Sequence, residues 1–453
     1  MLKYVMLGEI QMKIIYKPSY LYEDKTFKKN MGVLVENDTI INVGNIDVII
    51  NENPDAKLEK WTDLVMIPGT VNAHNHCFQS LLRGLSVDVP FLEWRDKALY
   101  NYSPKFTLEH IYNGAVFAFG EMMKCGVTTV SDFFYLHNFG LDSDEAIIQA
   151  AKDVGIRLVL ARTMYDWNGA PDGYVESVEN AYKNTKALAV KYADNDMTTV
   201  IPAPHSLHAA SLDMIKAGHK LAKELNTCFH IHVAEEPFEV DQVQKEYNMS
   251  PIELLDKIGV VDENMVIIHG VWLKEYEIQL LGERGCKLAY CPSSNMFLSD
   301  GVTDIPKMIK SGVTIGLGSD GACSNNRISI FEEMRMVSLL QKVKTLDAMC
   351  VNYNDAFLMG TENGGKLLQL PIGKIKKGYK ADFVGLTVND MSMQPISKSL
   401  EQILPNIVYS MQPTAISRVV VNGKLTVSRG IINTISETEI IKKVNNVMTD
   451  LDS

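Results

Sequence analysis

Up to about residue 65 the chain alternates apolar and polar positions in short runs, such as Val33-Leu34-Val35 and Thr39-Ile40-Ile41-Asn42-Val43-Gly44, with polar turns between them. Period-two alternation of this kind predicts a small antiparallel sheet. From residue 64 the rhythm changes to apolar strand, polar end, then helix. Strands are predicted over 64–74, 128–136, 157–166, 198–206, 227–235, 265–272, 287–295 and 314–319. Helical periodicity lies between them at 108–124, 145–154, 175–192 and 212–225, with Gly126 and Gly155 at the expected stops. Strands alternating with helices in this way predict an α/β fold, a (β/α)8 TIM barrel. Amphipathic helices follow at 328–343 and 355–368, and short strands return from Ile372, as in 380–386 and 418–424. These complete the N-terminal sheet, so a small β-sandwich domain built from both chain ends, 1–65 plus 372–453, is expected beside a barrel of residues 66–371. No linker, low-complexity tract or repeat interrupts the pattern.

Composition narrows the function. Of 453 residues, 46% are hydrophobic and 22% charged, enough to bury a large core. The net charge of −11 disfavours nucleic acid or an acidic membrane surface as partner, since either wants a basic face. The seven cysteines include no CxxC pair, which fits reduced thiols and a cytoplasmic location. Cys77 and Cys291 are read as small buried groups rather than ligands. The opening MLKYVMLGEIQMK has no long apolar segment with a cleavage site, and no stretch approaches the ~18 apolar residues of a membrane span. The expected partner is a small-molecule substrate, with homo-oligomerisation left open.

The candidate chemistry begins in Met66 to Gly84, MIPGTVNAHNHCFQSLLRG. His74 and His76 are two apart, so on a strand both rings face one side and can converge on one ion. Further polar residues fall at the ends of later strands: His205, His232, Glu235, His269 and Asp320. In a barrel of this kind the chemistry sits at those ends.

The chain resembles the amidohydrolase superfamily in its aminohydrolase branch. The resemblance is carried by Pro68-Gly69-x-x-Asn72-x-His74-x-His76, Leu81-Leu82-Arg83-Gly84-Leu85 through Phe91-Leu92-Glu93-Trp94, His232-x-x-Glu235, His269, Cys291-Pro292-x-Ser294-Asn295-Met296 and Gly318-Ser319-Asp320-Gly321-Ala322-x-Ser324-Asn325-Asn326. Within that branch it is similar to S-adenosylhomocysteine and methylthioadenosine deaminases. His76-Cys77-Phe78-Gln79, Phe134-Tyr135-Leu136-His137 and Pro204-His205-Ser206-Leu207 are similar to formiminoglutamate deiminases and 8-oxoguanine or pterin deaminases.

Three neutral imidazoles and one carboxylate, His74, His76, His232 and Asp320, suit one divalent ion. Zn²⁺ is the first expectation, and ligand type leaves Fe²⁺ or Mn²⁺ open. Such an ion lowers the pKa of the water it holds to about 7. Glu235 faces away from His232 on a continuing strand, so a turn at Ala234 is expected to bring it back, where the resemblance assigns it proton transfer. Asp320 doubles as ligand and base, and His269 donates to the attacking water or the developing oxyanion. Gln79, Trp94, Arg162 and His205 are expected to contact substrate. Phe78, Phe133, Phe134, Tyr165 and Trp167 near strand ends favour a flat ring that stacks.

The expected reaction is deamination of a cyclic or conjugated amidine, most simply an aminopurine- or pterin-like ring. Alternatives on the same site are S-adenosylhomocysteine/methylthioadenosine deamination, formimino-amino-acid deimination and triazine-type chlorohydrolysis. A non-enzymatic barrel is disfavoured by the full ligand set. The resemblance also implies an acidic residue gripping ribose and two arginines holding the amino-acid carboxylate. Here the first position is Ser103, and of the arginines only Arg162 remains, with Tyr174 in place of the second. A free ring or small amidine is therefore expected to be turned over better than S-adenosylhomocysteine.

Overall fold

The structure, a computed structural model, describes residues 12–452. The reading of the first 11 residues as free of a leader lies outside the described residues.

Eight parallel strands carry the centre of the molecule: β1 (Thr70–Asn75), β2 (Val127–Phe134), β3 (Arg157–Met164), β4 (Thr198–Pro204), β5 (Phe229–Val233), β6 (Met265–His269), β7 (Lys287–Tyr290) and β8 (Thr314–Leu317). They pair in order as two four-stranded sheets, β1 to β4 and β5 to β8. At one junction the His232 N–H donates to His205 O at 2.9 Å. At the other, the Asp320 N–H donates to His74 O at 3.0 Å. With helices between successive strands, this is a TIM-barrel type α/β fold. β2 and β3 are buried at every position, their polar residues Ser131, Asp132 and Arg162 included.

The helices start and stop where local chemistry dictates. Thr107 caps Leu108–Lys124 by accepting from the His110 N–H, and Ser211 caps Leu212–Leu225 by accepting from the Met214 N–H. The expected helix 355–368 is broken in two, Tyr353–Met359 and Glu362–Leu367, at Gly360 and Thr361. A Cβ on Gly360 would overlap Met334, so close packing there overrides helical periodicity.

Strands from both chain ends join in one nine-stranded sheet, where two facing sheets of a sandwich were expected. Its order is Ile431–Ile432, Lys424–Ser428, Ile416–Val421, Phe383–Thr387, Lys57–Pro68, Lys13–Glu23, Met31–Glu36 and Thr39–Asn45, with Thr26–Lys28 beside Lys13–Glu23. The sheet is not wholly antiparallel, because Lys13–Glu23 and Lys57–Pro68 run parallel. It encloses a core of its own that includes Tyr16, Val35, Trp61, Met66 and Phe383.

The expected strand 64–74 is in fact two strands in different sheets. Lys57–Pro68 pairs with Phe383–Thr387 in the mixed sheet, and β1 begins after Gly69. A Cβ on Gly69 would lie within 2.1–2.7 Å of the Thr128 side chain, so the chain can cross between sheets there only as glycine. The last helix, Glu437–Asp452, packs on the barrel side: Val447 and Leu451 join the main core, and Lys124 pairs with Glu437 at 2.6 Å. No helix among the described residues is long and apolar enough to cross a membrane.

Candidate active site

β1 ends by placing His74 and His76 side by side, ring centroids 4.7 Å apart. His232 arrives from β5 and Asp320 from the turn after β8. Nε2 of His74 lies 3.3 Å from Nε2 of His232, and Asp320 Oδ1 lies 3.5 and 3.4 Å from Nε2 of His74 and His76. All four residues are buried. A tetrahedral ion with bonds of about 2.0–2.1 Å separates its ligand atoms by about 3.3 Å, so the spacing fits a single such ion.

The tautomers fit as well. His76 Nδ1 is 2.6 Å from Phe133 O and His232 Nδ1 is 2.9 Å from His205 O. A carbonyl only accepts, so both rings carry their proton on Nδ1 and turn the Nε2 lone pair inward. Lone pairs and a carboxylate aimed at one point repel one another unless a cation lies between them. Burial keeps His76 neutral, lowering it to about 4, and pushes His232 well below its usual value. Burial alone would raise Asp320, but the hydrogen bond to His74 and the surrounding imidazoles outweigh it and hold the carboxylate ionised.

Neighbouring polar groups fix these side chains. Asn72 accepts from the Ser319 N–H at 3.1 Å and donates to Ser319 Oγ at 2.7 Å, clasping β1 to the end of β8. Ser294 Oγ donates to Asp320 Oδ2, and the Gly321 N–H to Oδ1, each at 2.7 Å. Asp132 Oδ1 accepts from Asn75 and from the Cys77 N–H. The motifs contain Asn72, Cys77, Ser294, Ser319 and Gly321 but not Asp132, and spacing alone gave no sign of what each side chain holds.

Ala234 has φ +52°, and this left-handed residue ends β5 and swings Glu235 into the site. Glu235 Oε1 lies 3.2 Å from His269 Nε2. Burial, then the carboxylates of Asp300, Asp320 and Glu239, raise Glu235 well above the ordinary range. His269 and Asp320 also have positive φ, +68° and +59°. Strain of this kind in non-glycine residues persists only where the surroundings hold it, and it gathers at functional sites.

Gln79, Trp94 and His205 line the cavity above these groups. Gln79 Nε2 donates to Tyr135 OH at 3.2 Å, and Trp94 Nε1 donates to Cys323 O at 2.9 Å. Arg162 does not reach the cavity, contrary to expectation. It is fully buried, donating to Asp144 at 3.0 Å and to Glu176 at 2.7 Å. A guanidinium inside a core needs such partners, and with Thr185 they engage four of its five N–H groups on the side away from the cavity lining.

The aromatic wall differs in part from expectation, Tyr165 being the one of the five named aromatics that lines the opening. Phe78, Phe133 and Phe134 are core residues, with Phe133 4.5 Å from the His232 ring, while Tyr100, Tyr135, Tyr165 and Tyr174 surround the opening. His208 lines it too. Ser103 and Tyr174, the two positions that depart from the deaminase pattern, are bonded to each other, Oγ to OH, at 2.6 Å. The space left is about 60 Å³.

The amidohydrolase family model matches residues 65–426. The chain belongs to the amidohydrolase family. Members of that family are hydrolases, and named relatives of this amidohydrolase act on C–N bonds as deaminases. It is 34% identical to a 5-methylthioadenosine/S-adenosylhomocysteine deaminase of Thermococcus kodakarensis, over 91% of this chain and 94% of the relative. It is 33% identical to a 5'-deoxyadenosine deaminase of Methanobrevibacter smithii, over 97% and 98%. Among solved structures, a zinc-bound adenosine deaminase from Xanthomonas campestris superposes with a TM-score of 0.89 at 22% identity, covering 97% of this chain and 99% of the other. At that identity the likeness speaks for the fold of this amidohydrolase.

Proposed function

We propose that this amidohydrolase is a metal-dependent deaminase of aminopurine-like N-heterocycles, releasing ammonia. We take the two parallel sheets as one closed (β/α)8 barrel, with the mixed sheet of the chain ends as a small β domain beside it. The observation that carries the reading is the convergence of His74, His76, His232 and Asp320, with the His74–His232, His74–Asp320 and His76–Asp320 atom pairs 3.3, 3.5 and 3.4 Å apart and Glu235 and His269 beside them.

His74, His76, His232 and Asp320 would hold one divalent ion, with Zn²⁺ as the first choice. When bound, such an ion makes water nucleophilic near neutral pH. Water adds at the amino-bearing carbon, Glu235 passes the proton it takes from that water to the adjacent ring nitrogen, and the C–N bond breaks. His269 donates to the developing oxyanion, and Asp320 passes a proton to the departing ammonia. Burial gives Glu235 the high proton affinity this transfer needs.

The distal wall supports a substrate without a charged tail. Arg162 is consumed by Asp144 and Glu176, and Ser103 and Tyr174 satisfy each other. Arg95 lines the mouth but pairs with Asp96 at 2.8 Å and stacks over Tyr100. A missing charge-assisted hydrogen bond weakens recognition by roughly 1.5–3 kcal/mol, so 5'-deoxyadenosine or a free aminopurine should exceed S-adenosylhomocysteine in kcat/KM by about 10-fold or more. Ammonia release from the metal-loaded protein over aminopurines, their nucleosides, pterins and formimino amino acids tests the reaction class. If S-adenosylhomocysteine is the best substrate, and Ser103→Ala slows it selectively, the proposed preference is wrong.

A further inference from the structure

His269 can be read in two ways from its position. Its Nε2 faces Glu235 Oε1 at 3.2 Å and Asp320 Oδ2 at 3.9 Å, and together with His74 and Asp320 it forms a cluster close enough to hold an ion. Whether it serves as a donor or as a further ligand depends on which ring nitrogen bears the proton, and that is set on the far side of the ring.

There, Asn295 Nδ2 lies 3.1 Å from His269 Nδ1 and 2.9 Å from Asp300 Oδ2. Asn295 and Asp300 are fully buried. Asn295 follows Cys291-Pro292 on the short helix Pro292–Phe297, and its main-chain carbonyl accepts from the Asp300 N–H at 3.0 Å, while its side-chain Oδ1 is buried without a partner. The backbone of His269 is pinned separately, its carbonyl accepting from Thr303 Oγ1 at 2.8 Å. An amide nitrogen only donates. Its two amide hydrogens face His269 Nδ1 and Asp300 Oδ2, and in this placement Nδ1 of His269 is the acceptor and the ring proton is left on Nε2.

We propose that Asn295, oriented by Asp300, is a positioning residue that holds His269 in its Nε2–H tautomer, so that His269 donates to the reacting group and is not a metal ligand. The catalytic consequence rests on the deaminase reading, whereas the tautomer itself does not. His76 and His232, held by backbone carbonyls, take the opposite tautomer. Three rings in one site are thus sorted into two chemistries by the atom behind each.

Ring ¹⁵N spectra of histidine-labelled, zinc-loaded protein test this directly, with the His269 signals assigned by their loss in His269→Gln. The expected result is a protonated Nε2 and an unprotonated Nδ1 for His269, with Nδ1 protonated in His76 and His232. Asn295→Asp sets a carboxylate acceptor against Nδ1. It should reverse the His269 tautomer, keep zinc stoichiometric and lower kcat by about 10²–10⁴-fold with KM little changed. Asn295→Ala, which adds no charge, should lose the tautomer preference and lower kcat in the same direction. A protonated Nδ1 or a zinc-shifted Nε2 on His269 in the unmutated protein overturns the proposal, whatever the variants do and whether or not ammonia release is found. A reversed tautomer with unchanged kcat overturns the positioning role.

Discussion

Glu235→Gln keeps the size of the side chain and removes its ability to carry a proton. Because Glu235 faces His269 and belongs to neither of the side-chain groups close enough to hold an ion, the variant should keep its metal and lose about 10²–10⁴-fold in kcat. Metal analysis beside turnover checks this, and joint loss of both would make Glu235 a ligand. His232→Ala should instead lower metal occupancy, since its Nε2 points into the cluster with the tautomer held by His205 O. Full occupancy with normal turnover in that variant would sink the metal-site reading. At this scale the strand-end histidines and acids were legible because strand periodicity says which side chains share a face. Arg162 was misread because sequence does not show that Asp144 and Glu176, on other elements, claim its donors. Of the tyrosines of the opening, Tyr165 was legible at its strand end, whereas Tyr100 and Tyr174 sit on the short helical turns Arg95–Tyr100 and Asp172–Tyr174, which strand periodicity does not orient.

The element whose position matters most is the turn after β8. A Cβ on Gly318 would lie 2.8–2.9 Å from the backbone N and O of His74, so β8 approaches β1 as closely as it does only because that residue is glycine. Gly318→Ala should push the two strands apart, and with them Asp320 and the paired histidines. The expected outcome is lower metal occupancy and a lower Tm of the metal-free protein. A variant that binds metal like the unmutated chain would show that the turn can shift at little cost. The expectation of one strand over 64–74 failed at this same scale, because one apolar run serves two sheets and only Gly69 marks the crossing.

For the whole molecule, the two chain ends and the barrel are tied by Arg157 to Asp382 at 3.3 Å and by Lys380 to Asp38 at 2.6 Å and Asp196 at 3.1 Å. Burial alone would raise Asp38, but hydrogen bonds from Lys380 and Thr39 outweigh it and lower its pKa. Lys380 is raised, because its hydrogen bonds to Asp38 and Asp196 outweigh burial. The Asp38 contribution is present above the unfolded carboxylate value of ~3.9 and is lost as pH falls through the lower folded value. The Lys380 contribution is present below ~10.4 and is lost as pH rises through the higher folded value. Lys380→Met should therefore destabilise by about 1 kcal/mol between roughly pH 5 and 9, with the difference shrinking below pH ~4. Denaturant titration across pH measures this, and a difference that grows in acid would contradict the pairing.

The alternation of apolar runs with helices, the histidines and acids at strand ends and the need for a turn at Ala234 were all determined by the sequence, because each depends on residues a few positions apart. Tertiary structure alone decided which partners Arg162 takes, that Ser103 meets Tyr174, that Lys13–Glu23 and Lys57–Pro68 pair in parallel, and which nitrogen of each histidine faces the centre. Each of those rests on contacts between residues far apart in the chain, such as Asn72 with Ser319 or Arg157 with Asp382, and hydrophobic periodicity carries no record of such pairings.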